Sequence, residues 1–115
     1  MQAQTALQEC LDMVNTQIEA MEYLHDKLLA EGEPPLYLVG DVIDAQLSLA
    51  RLLSQDRPPL RLLVDNEGEA VSARLIALCA QADMMVSRAF LADTVAALVG
   101  DLRAMRSKLT LLTAQ

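Results

Sequence analysis

Between Ala3 and Glu31 the chain sets Leu7, Leu11, Val14, Ile18, Met21, His25 and Leu28 at alternating steps of four and three residues. That spacing keeps side chains on one stripe of an α-helix, whereas a strand would bring every second residue to one face. A second stripe runs beside the first through Ala6, Cys10, Met13, Gln17, Ala20 and Leu24. The outer face carries Glu9, Asp12, Glu19, Glu22, Asp26 and Glu31. A helix of about eight turns with so broad an apolar face must be covered by other elements. The most economical cover is more helices.

The remaining pattern supplies them. Gly32 and Pro34-Pro35 end the first helix, since proline cannot continue it. A poorer seam follows through Leu36, Val39, Ile43, Gln46, Ala50 and Leu53, interrupted by Gly40-Asp41. With Asp41 as an N-cap, a helix is expected over about 42–55. Leu36–Val39 is either a preceding turn or a short extended piece. Residues 60–68 are ambiguous between a β-hairpin and a helical turn, with the turn preferred because a lone hairpin is marginal in water.

From residue 69 the helical period returns. Val71, Leu75, Leu78, Ala82, Met85 and Ala89 form one seam. Leu91, Val95, Leu98, Leu102, Met105, Leu109 and Leu112 form another in a different phase. The slip near residues 90–93 marks a turn between two helices or a bend in one, with Asp93 as a candidate N-cap. Arg103, Arg106 and Lys108 are placed to complement the negative end of the last helix dipole.

The segments starting at Pro34-Pro35 and Pro58-Pro59 partly repeat at a period near 24 residues. They read as two helix entrances built from the same local chemistry, because repeat architectures need three or more copies.

These periods predict an all-α fold. Three to four helices form an antiparallel bundle with a long N-terminal helix, over about 3–31, 42–55, 69–89 and 92–113. Composition agrees, since Leu, Ala and Met favour helix and the chain has no Trp, two Tyr and one Phe. At 115 residues one domain with one core is expected. The short middle helices leave long seams to cover, which points to a homodimer.

Charge narrows the function. The net charge is −7, and all of it lies in residues 1–57, where ten acids face three bases. The second half is neutral. An acidic half repels nucleic-acid phosphates and anionic lipid heads and favours basic protein surfaces. Segment 76–89 loosely resembles a helix-turn-helix, but it lacks the turn glycine and the surrounding basic residues. A DNA-binding regulator using that segment is the rival reading, and a purely structural oligomer is another.

Chemistry is sparse. His25 is the only histidine, and nearby Glu22 and Asp26 do not make a ligand set of three or four convergent groups. It is read as a seam or interface residue. The five serines have no visible base, and Cys10 and Cys79 lie in apolar stretches that make a thiol inert. No glycine-rich phosphate loop is present. The expectation is no enzyme, no cofactor and no metal.

The cysteine placement, the absence of a basic-plus-apolar leader pattern and the absence of a bilayer-length apolar run predict a cytoplasmic protein off the membrane. The expected activity is protein binding: sequestering or chaperoning a partner, in the manner of an antiactivator or export chaperone. The partner would offer a basic or apolar surface to Leu11, Val14, Ile18, Met21 and His25 on the first helix and to Leu98, Leu102 and Met105 on the last.

Overall fold

A computed structural model of the chain describes residues 2–54, 70–87 and 90–113. Four helices stand among these residues: α1 (Gln2–Glu31), α2 (Leu36–Ser54), α3 (Val71–Ser87) and α4 (Ala92–Thr113). No strand occurs among them. The choice between hairpin and helical turn at 60–68 lies outside the described residues, as do Arg88 and Ala89.

The apolar periods become the core. Val71, Leu75, Leu78, Ala82 and Met85 of α3 are buried, as are Val95, Leu98, Leu102, Met105 and Leu109 of α4. Both stripes of α1 are largely buried, because α1 packs against α2 and against α4. α3 closes the ring by packing against α2 and α4. Two intramolecular neighbours thus occupy the two stripes. The Cα radius of gyration is 14.3 Å, close to the roughly 13 Å of a compact chain of this length.

α2 departs from the sequence reading in start and in register. It begins at Leu36, where the Pro35 carbonyl accepts from the N–H groups of Leu38 and Val39 at 3.1 Å. Pro35 thus closes the first turn, and Asp41 is an exposed mid-helix residue rather than a cap. The buried set is Leu38, Val42, Ala45, Gln46, Leu49 and Leu52. Leu36, the first residue of the expected seam, is 89% exposed. Two apolar stripes lie one residue apart on this helix, and the core took the one whose residues are all set behind Leu36.

The break between α3 and α4 is real, and the two are separate helices. The Leu91 carbonyl accepts from the Val95 N–H at 2.9 Å, so Asp93 lies inside the first turn of α4. Its carboxylate there favours the positive end of the helix dipole instead of capping it. At the other end α4 continues to Thr113, so no basic residue stands in its last turn. Arg103 instead pairs with Glu22 of α1 at 3.2 Å, and Arg106 donates to Asn15 Oδ1 at 3.5 Å. These contacts tie α4 to α1. Arg74 and Asp101, 4.0 Å apart, link α3 to α4.

Candidate functional site

The residues picked from the sequence as partner contacts fall mostly in the core. Val14, Ile18, Met21, Leu98, Leu102 and Met105 are buried in one continuous cluster, and Leu11 packs against its edge half-buried. In this fold they hold the helices together, and a partner reaches them only if α1 and α4 separate. His25 is half-buried at the α1–α4 seam. It lines a crevice of about 230 Å³ with Glu22, Asp26, Val99 and Arg103.

A wider concavity, with a volume of about 540 Å³, lies on the other side of α1, along its seam with α2. Its floor is apolar. Ala20 and Ala45 are buried at its base, and Met13 and Leu38 continue it toward the two ends. Small side chains at the base let an incoming backbone approach closely. Tyr23, one of only three aromatic residues, borders the groove and is 65% exposed.

The rim is acidic. Glu19 on α1 and Asp41 and Asp44 on α2 line it, together with the hydroxyls of Thr16 and Ser48. Among the described residues no lysine or arginine does. Among the described residues these three carboxylates make no side-chain hydrogen bond or ion pair. Other acids do: Glu22 meets Arg103, Glu31 meets Lys27 and Asp101 meets Arg74.

Sequence reasoning did not single out this groove. Tyr23 and the second α1 stripe were visible, but Asp41 was assigned to a helix start. Once α2 begins at Leu36, Asp41 and Asp44 are three apart on one face, opposite Glu19. The signal that could have found them is the Pro35 helix entrance, which places both carboxylates within the helix.

A second crevice of about 330 Å³ lies between α2 and α3, bordered by Leu53, Ile76 and Asp83. At its base the Gln46 side-chain amide donates to the Cys79 carbonyl at 3.3 Å. Cys10 and Cys79 are both free and buried, and burial pushes each thiol up to about 11. The neighbouring Cys79 adds to the rise at Cys10, and Asp83 adds to it at Cys79. Thiols so protonated near neutrality are poor nucleophiles.

Among the described residues no three His, Cys, Asp or Glu side chains converge to hold a metal ion. No helix among them is long and apolar enough to cross a membrane. α3 runs unbroken through residues 76–87, so the segment that resembled a helix-turn-helix contains no turn there. No protein-family model matches the chain, and no curated protein and no solved structure matches it.

Proposed function

We propose that this chain is a non-catalytic protein-binding module that sequesters or chaperones a partner protein. The observation that carries this reading is the α1–α2 groove: an apolar floor beside an exposed tyrosine, rimmed by carboxylates that no side chain among the described residues neutralises. Aromatic side chains and methionine, here Tyr23 and Met13, are enriched at docking surfaces, and a polar rim sets orientation and association rate.

The arrangement proposed for the bundle is antiparallel. Only residues 32–35 join α1 to α2, and only residues 88–91 join α3 to α4. Four residues span at most about 14 Å, too short to return along a helix of about 25 Å or more. A homodimer is proposed through the α1–α2 end, where Leu29 and Leu36 stand exposed. That placement leaves the groove free. Sedimentation of the wild type against Leu29→Lys/Leu36→Lys checks it: the dimer is expected to become monomeric, and an unchanged mass removes the proposal.

The function is tested by site-specific photo-crosslinking in the native host. A crosslinker at Thr16 or Ser48, in the groove, is expected to trap one partner in high yield. The same group at exposed Ser107 of α4 is expected not to. Equal adducts from both faces, or none from the groove, would remove the docking reading.

A further inference from the structure

Resting on the docking reading above, we propose that the α1–α2 groove receives a single amphipathic helix of a partner protein, with lysine and arginine along its flanks. Its lining spans Met13 to Tyr23 on α1 and Leu38 to Ser48 on α2. Each stretch covers ten residue steps, or about 15 Å. The groove is therefore matched on both walls and as long as about three helical turns. A third helix seated between two packed helices approaches to about 8–10 Å where the contact residues are small. Ala20 and Ala45 supply that contact, one from each wall. An extended strand would gain little here, because both walls are helices and offer no sheet edge for its backbone hydrogen bonds.

Charge selects the occupant. Glu19 stands on one wall and Asp41 and Asp44 on the other, so a helix lying between them has carboxylates along both flanks. Among the described residues that line the groove there is no cation. Lysine and arginine stems can cover the apolar edges while their charged heads reach these carboxylates. Tyr23 adds an exposed ring face for an arginine or lysine. A second copy fits less well. A two-fold pairing of this surface on itself would bring one acidic rim of Glu19, Asp41 and Asp44 against the other, and like charges facing each other across an interface oppose association.

The test uses the full chain and two synthetic helical peptides of about 14 residues, four turns long. Both carry leucine on one stripe; one has lysine on its flanks and the other glutamine. Binding is read by fluorescence anisotropy at low and high salt. The lysine peptide is expected to bind about tenfold or more tightly than the glutamine peptide, with the gap shrinking as salt rises. The variant Asp41→Lys/Asp44→Lys changes only exposed side chains, so the fold is retained, and it is expected to remove that gap. Glu31→Lys/Glu33→Lys, an equal charge change outside the groove lining, is expected to leave binding within about twofold. Tyr23→Ala is expected to weaken both peptides.

Equal loss in the two charge variants would mean non-specific attraction and overturn the inference. So would equal affinity for both peptides, no binding of either, or a wild-type homodimer that Tyr23→Ala or Asp41→Lys/Asp44→Lys alters. The docking reading has its own failure point. If crosslinkers at Thr16 and Ser48 still trap a partner whose contact segment is neutral or acidic, the docking reading stands and only the basic occupant is lost.

Discussion

Two glutamines are the buried polar side chains of the described core, and they differ in how they are satisfied. Gln46 donates to the Cys79 carbonyl across the α2–α3 contact. Gln17 is 2% exposed, and its Oε1 has no hydrogen-bond donor. A buried acceptor without a donor costs about 1–3 kcal/mol. Replacing it with an apolar side chain of similar length removes that cost. Gln17→Met is therefore expected to stabilise the fold by about 1 kcal/mol, read as a higher urea midpoint at unchanged slope. A lower midpoint would show that the carbonyl has a donor. The thiols make a second prediction at this scale. Cys10 and Cys79 have ordinary values of 9.0, raised to about 11 in the fold. The native state then holds its protons where the unfolded chain has lost them. Their contribution is full below about pH 9 and is lost as pH rises toward about 11. Urea midpoints are expected to fall across that window, with a smaller fall in Cys10→Ala/Cys79→Ala. Equal falls would mean that other groups carry the effect.

At the scale of the helix, three glycines of the same chain have different roles. Gly32 follows α1 with φ +78, and its N–H donates to the Leu28 carbonyl at 2.9 Å. An L side chain is disfavoured in that left-handed conformation, so Gly32→Ala is expected to cost about 1 kcal/mol. Gly40 and Gly100 lie inside α2 and α4, and a Cβ at either meets nothing within 4 Å. Alanine there lowers the entropy of the unfolded chain without strain. Gly40→Ala and Gly100→Ala are each expected to add about 0.5–1 kcal/mol, read by thermal unfolding. The same Gly40 shows where local reading falls short. Gly40-Asp41 looked like a helix break, and the interior glycine does cost about 1 kcal/mol. Burial of Leu38 and Val42 on either side of it, with the Pro35 carbonyl closing the first turn, outweighs that cost. By contrast α1 was legible because its period and the Gly32 and Pro34-Pro35 breaker agree, whereas the phase slip near residues 90–93 located the α3–α4 break without choosing between a turn and a bend.

For the whole molecule, the all-helical class followed from periods alone, but the groove did not. Whether Ala20 and Ala45 form the floor of an open seam or the inside of a closed core depends on which neighbours α1 and α2 have, and no local pattern reports that. The contact residues expected from the sequence meet the same limit: Ile18 and Leu102 are apolar and periodic whether they meet another molecule or their own core, and in this fold they are buried. Charge is a property of the whole chain that can be tested directly. The net charge of −7 is concentrated in the half containing α1 and α2, and the groove brings Glu19, Asp41 and Asp44 together with no cation among its described lining residues. Exposed ion pairs such as Lys27–Glu31, Arg74–Asp101 and Arg103–Glu22 pull the other way. Exposed pairs contribute about 0–1 kcal/mol each, while self-repulsion acts over every unneutralised carboxylate of the acidic half. Repulsion therefore prevails at low ionic strength, and salt, which screens both, is expected to stabilise. The thermal midpoint should rise by about 2–4 °C between low and physiological salt. In Asp41→Lys/Asp44→Lys each replacement adds two positive charges, taking the net charge from −7 to −3. That variant is expected to start with a higher midpoint at low salt and to gain less on salt addition. A midpoint that falls with salt in the wild type would mean that the ion pairs outweigh the repulsion of the acidic half.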